Sequence, residues 1–168
     1  MKLRLNHPYE FDFTGTISFG NLNPEFLYDM FRDGRFCCEP LSRHLEQTFD
    51  DLVFVDQKGY DFTWYDRKIE KKQITNNGLK FCPSSMIGAG RKVDHDQVVS
   101  HILDNHLLYV LADITEFPKV RVAFIEGLQL LDHCSSKNCS FSKTNALKFF
   151  NAIKPKQKYS RQRYSLHA

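Results

Sequence analysis

The chain is poor in several features that would each have fixed a class. No apolar run approaches the ~20 residues needed to cross a bilayer as a helix, so no membrane partner is expected. The opening stretch MKLRLNHPYEFDF has no apolar core of the signal-peptide kind, which makes the cytoplasm the default expectation. There are five cysteines, an odd number, and Cys37 and Cys38 are adjacent; reduced thiols are expected rather than a disulfide framework. Internal repeats and long low-complexity linkers are absent. From His133 to the C-terminus there is no Asp or Glu, against eight Lys and Arg. The other 15 basic residues and all 20 acidic ones precede it, so an acidic body of net −5 carries a basic end. That asymmetry suits a protein that meets polyanions, and equally a solvated tail.

What the 168 residues do contain is a core's worth of apolar side chains, 42% of the total with 15 Phe and 7 Tyr. This predicts one globular domain over residues 1–153 and a basic tail over 154–168. MKLRLN and YEFDFTGTISFG alternate as early strands. Asn23 caps a short helix that has Pro24 in its first turn and Gly34 just past its end. EPLSRHLEQTF reads as a second helix, with Leu41, Leu45 and Phe49 on one face. Four short β-rich segments follow: DLVFVD, YDFTW, KIEKKQIT and LKFC. After the polar loop PSSMIGAGRK, a helix begins at Asp94, with Gln97 as its capping partner. LLYVLADI and KVRVAFIEG are strands, and TNALKFFNAI is the last helix. The order predicts an α/β (α+β) fold, a central mixed β-sheet flanked by helices.

GYDFTWYDRKIEKKQIT, residues 59–75, carries the chemistry. A turn at Tyr65-Asp66 sets Asp61 across from Glu70, on the same face, with Cβ atoms ~5 Å apart. Lys72, two residues on, shares that face. Facing carboxylates repel, and a divalent cation between them removes the penalty; Mg²⁺ favours one or two carboxylates with waters and phosphate oxygens. Such an ion polarises a phosphate and acidifies a bound water, while Lys72 can orient that water or stabilise the developing negative charge. The set suits phosphodiester hydrolysis. A solvated, salt-bridged surface hairpin is the structural alternative.

Asp61, eight residues, then Glu70-Lys71-Lys72 resembles the PD-(D/E)xK signature of restriction-endonuclease-like nucleases. Over roughly residues 40–127, the hairpin, polar loop, helix and following strand are similar to the layout of small type II restriction enzymes. The resemblance implies a restriction-endonuclease-like core, with residues 1–50 as N-terminal strands and helices and 51–127 as catalytic core. It implies Mg²⁺, with Mn²⁺ as substitute, and a homodimer acting on double-stranded DNA through a surface in residues 23–49. Catalytic roles fall to Asp61, Glu70 and Lys72, and metal binding to Asp61 and Glu70, with Glu46 of the preceding helix as a further candidate ligand. In the same implied layout, Ser84, Ser85 and Arg91 read bases while Lys80 and Lys92 hold phosphates. The chain departs from the signature at Tyr60, where the family has proline, and at Lys71, where it has an apolar residue facing the core.

Other groups carry weaker signals. His44 is an outside candidate ligand by analogy with cap-snatching nucleases of this fold. His95, His101 and His106 do not share a helix face and read as surface positions. Cys134 and Cys139, beside His133, have a spacing within the range of zinc ligands but lack an evident second pair. Rival functions are a homing or phage nuclease, a junction resolvase, a cap-snatching-type RNA endonuclease, and a non-catalytic nucleic-acid-binding module.

Overall fold

The computed structural model describes residues 1–83, 86, 90, 92–133 and 139–154. Six strands form one sheet: β1 (Pro8–Asp12), β2 (Leu52–Gln57), β3 (Tyr60–Trp64), β4 (Arg67–Ile74), β6 (Leu108–Asp113) and β7 (Lys119–Glu126). Their order across the sheet is β1-β7-β6-β4-β3-β2. β4 and β6 run parallel, and the other neighbours are antiparallel. A parallel pair needs a crossover, and α3 (His95–Asp104) lies within it. A separate two-stranded ribbon pairs β5 (Leu79–Lys80) with β8 (Ser140–Phe141).

Helices cover both faces. α1 (Pro24–Arg32) and α2 (Cys38–Thr48) supply Tyr28, Leu41 and Leu45 to a core with Phe62, Ile69, Val110 and Val122. α3, α4 (Leu128–His133) and α5 (Lys143–Ala152) supply Val98, Ile102, Leu130, Ala146 and Phe150 to the other core, with Tyr109, Leu111 and Ile125. Even-numbered residues of β6 and β7 therefore face α1 and α2, and odd-numbered ones face α3 and α5, as strand alternation demands.

Local signals account for most boundaries. The Asn23 side chain accepts from the N–H of Glu25, and Asp94 accepts from that of Gln97, so two helices start at the expected caps. The expected second strand in the N-terminal region stops at Asp12, whose carboxylate accepts from both the N–H and the hydroxyl of Thr14 and turns the chain. MKLRLN contributes a single bridge, Leu5 to Phe124. LKFC does not extend the main sheet; its first half forms the ribbon with β8 instead.

Candidate active site

The hairpin has the expected register: Phe62 pairs with Ile69, Thr63 with Lys68 and Trp64 with Arg67. Tyr65 in the turn has a positive φ of 53°. Ile69 faces α2 and Ile74 faces α3 and α5, so Glu70 and Lys72 lie on the α3 and α5 side, with Lys71 on the α2 side. Asp61 likewise alternates with Phe62, which faces α2.

The three residues of the motif come together. Glu70 and Lys72 are buried, 5% and 8% exposed, and form an ion pair of 2.7 Å. Asp61 Oδ2 accepts a 2.6 Å bond from the Lys71 N–H, next along the strand from Glu70. Burial, and after it the nearby Glu70, raises the Asp61 carboxyl above its ordinary value, against the pull of Lys71 and Lys72. β6 lies alongside, with Tyr109 opposite Glu70 and Leu111 opposite Lys72. Tyr109 donates to the Phe81 carbonyl at 3.0 Å, and its burial, then Glu70, pushes its phenol up.

Asp61 and Glu70 open onto a cavity of about 570 Å³, walled also by Asp56, Lys58, Gln97 and His101. His101 is the clearest departure from the sequence reading, which treated it as a surface position. Its Nε2 donates to the Gly59 carbonyl at 3.1 Å in the tautomer whose Nδ1 accepts from the Asn105 amide at 3.4 Å. Gly59 has φ +92°, and a Cβ there would approach His101 to 3.0 Å, so glycine lets the β2–β3 turn close on α3. Gln97 lies one helical turn before His101, a periodicity visible in the sequence, but nothing there revealed which face the hairpin would meet.

Lys71 departs from the apolar residue of the signature in chemistry and keeps its burial, at 7% exposed. Its ammonium bonds the Cys38 carbonyl and the Ser42 hydroxyl in the first turns of α2. Glu46 is not brought to the carboxylate pair. It sits on α2, across the sheet from Glu70, where Oε1 accepts from the Phe54 N–H at 2.9 Å and Oε2 meets Arg43 at 3.3 Å. His44 also lies on that side, edge-on to Phe11 and Phe13, and burial lowers its pKa.

Among the described residues no group of three or more His, Cys, Asp and Glu side chains is assembled to hold a metal. The donors that can hold one here are the two carboxylates, a set suited to Mg²⁺ with waters and phosphate oxygens completing its shell. Lys80 and Lys92 are exposed; Ser84, Ser85 and Arg91 lie outside the described residues. Cys139 is buried in the α5-side core, while Cys134 lies outside the described residues. Among the described residues no helix is long and apolar enough to cross a membrane. No protein-family model, curated protein or solved structure matches the chain.

Proposed function

We propose that this protein is a Mg²⁺-dependent endonuclease of restriction-endonuclease-like fold that hydrolyses phosphodiester bonds in double-stranded DNA. In this reading it acts as a sequence-specific type II restriction enzyme working as a homodimer. The observation that carries the reading is the gathering of Asp61, Glu70 and Lys72 on one sheet face, Glu70 and Lys72 buried and Asp61 half-buried, with both carboxylates opening onto a cavity. A surface hairpin would leave such charges in water, where they cost little. Burying ions costs several kcal/mol each before pairing, so stability alone gives no reason for them here. The run α2, the β2–β3–β4 meander, α3 and β6 also follows the layout of the resemblance.

Asp61 and Glu70 would hold the metal, each already steadied by a protein donor: the Lys71 N–H for one, the Lys72 ammonium for the other. Bound Mg²⁺, or Mn²⁺ in its place, supplies Lewis-acid polarisation of the phosphate and acidifies a bound water. Lys72 orients the attacking water and stabilises the charge that develops on the phosphate oxygens. Attack forms the new P–O bond as the P–O3′ bond breaks. The attacking water gives up a proton to solvent and the leaving O3′ takes one from solvent, giving 5′-phosphate and 3′-hydroxyl ends. Cutting both strands of a palindrome requires two such sites related by a two-fold axis. The exposed Phe26 and Phe36, on and beside α1, support a dimer surface in residues 23–49.

The test is a digest of long mixed-sequence DNA with Mg²⁺, with EDTA, and with the Glu70→Ala variant. Discrete bands that require both metal and Glu70 are expected. Intact DNA under all conditions, with RNA and branched junctions also uncut, removes the nuclease reading and leaves a nucleic-acid-binding module.

A further inference from the structure

A second cavity, of about 520 Å³, adjoins the carboxylates from the other side and has the opposite charge. β3 pairs with β4 only as far as Ile69, and along the edge beyond it the chain gathers Arg35, Lys71, Lys72, Gln73 and Lys80 around this space. Four cations line it against one carboxylate, Asp33, which holds Arg35 through both oxygens at 2.6 and 2.7 Å. Lys71 bonds two neutral oxygens, the Cys38 carbonyl and the Ser42 hydroxyl, rather than a carboxylate. The two cavities meet at the Glu70–Lys72 pair: Glu70 lines the acidic one and Lys72 the basic one.

Gln73 adds an independent sign. Its Nε2 is buried and has no hydrogen-bond partner, an arrangement that costs about 1–3 kcal/mol when left unmet. Its Oε1 lies where a Cβ on Gly34 would come within 2.8 Å, and Gly34 has φ +89°. Glycine at this point therefore lets the α1–α2 connection close over Gln73 and bring Arg35 to the same space. A donor without an acceptor, in a cavity lined by four cations and one carboxylate, matches an anion with several acceptor oxygens.

We infer that this cavity is a phosphate subsite, and that it holds the phosphate next to the scissile one on the same nucleic-acid strand. Arg35 and Lys80 reach it from the exposed side, and Lys72 and Gln73 form its inner wall. The strand is then gripped at two points, with one phosphate among cations and its neighbour against the carboxylates. The anion site stands on the geometry alone; its assignment to a strand rests on the nuclease reading.

The experiment uses the full chain in EDTA, so cleavage plays no part. Binding of inorganic pyrophosphate is measured by calorimetry for wild type, for Arg35→Ala/Lys80→Ala, and for Asp56→Asn in the acidic cavity. Both basic residues are surface side chains, and circular dichroism confirms that the fold is kept. The double substitution is expected to weaken pyrophosphate binding about tenfold or more, while Asp56→Asn leaves it unchanged or slightly tighter. Affinity within twofold of wild type in the double variant overturns the subsite. In a second arm, the salt dependence of duplex DNA binding is compared. Loss of one phosphate contact lowers the log–log slope by about 0.9, and an unchanged slope overturns the placement on a strand. If both arms respond but wild type cuts no nucleic acid when Mg²⁺ is supplied, the subsite stands and the nuclease reading falls.

Discussion

β4 and β6 lie side by side, parallel, in the middle of the sheet, yet they meet burial in different ways. β6, LYVLAD, is buried throughout and apolar until Asp113, which accepts from Thr115 and Arg121 at the strand's end. β4, RKIEKKQI, is just as buried over its central four residues, Ile69 to Lys71 and on to Lys72, and three of those four are charged. β6 contributes apolar area and close packing. Every ion in β4 must instead find a partner: Glu70 has Lys72, and Lys71 has Cys38 and Ser42. Two neighbouring strands with the same burial and opposite chemistry separate apolar packing from the charged set to which the proposed activity is assigned.

The largest expected effect comes from truncating the carboxylates, Glu70 on the charged strand or Asp61 beside it on β3. Asp61→Ala or Glu70→Ala is expected to lower cleavage by at least about 10³-fold, the scale of losing preorganised charge at a reacting phosphate. Leu111→Ala, on β6 opposite Lys72, instead costs about 2–5 kcal/mol of stability through the cavity it leaves and spares the activity of the folded fraction. Denaturation curves and single-turnover rates on the same preparations separate the two. Equal rate losses in both strands would erase the distinction.

Next comes the ion pair. Lys72→Met strands Glu70 as an uncompensated buried charge beside Asp61, and is expected to cost about 3–5 kcal/mol. Adding Glu70→Leu should return the stability to the wild-type level or exceed it by about 1–4 kcal/mol, as when a buried pair is replaced by packed apolar groups. Neither variant should cut DNA. A double variant that stays as unstable as the single one would mean that the pair serves the fold.

Lys71→Met is expected to change stability by less than about 1.5 kcal/mol, because the Ser42 hydroxyl still donates to the Cys38 carbonyl. It leaves the backbone N–H that holds Asp61 in place, so metal-dependent cleavage persists. Urea titration checks the first point and the digest the second.

The smallest effect lies in pH. Because burial raises the Asp61 carboxyl, the native state keeps a proton that the unfolded chain has already released between the ordinary value of 3.8 and the raised one. Its contribution to stability therefore falls as pH rises through that window. Asp61→Asn removes this fall, so its stability relative to wild type should climb across the window and then level off. A flat difference curve from pH 3 to 7 would place Asp61 in solvent.

The motif was legible because a hairpin is local. Once the turn sits at Tyr65-Asp66, alternation fixes which residues share a face, and Phe62 opposite Ile69 is the register that the hydrophobic pattern predicts. The caps at Asn23 and Asp94 were legible for the same reason: donor and acceptor lie within three residues. α4 and β8 were missed because six and two residues carry too little periodicity to register. Glu46 was a reasonable candidate by position, but only the packing of α2 on the Lys71 face decided that it meets Phe54 and Arg43 instead. His101 could not be recognised as a wall of the cavity, since its partner, the Gly59 carbonyl, is 42 residues away.

The sequence by itself determined the hairpin, its register, and the face shared by Asp61, Glu70 and Lys72, because those follow from spacing along a few residues of backbone. The tertiary structure alone decided that this face is buried, that α3 closes over it to make a cavity, and that Arg35 from the α1–α2 connection meets Lys72 and Lys80 at the open edge of β4. Burial and long-range charge depend on which elements pack together, and one strand's pattern says only that something must cover it.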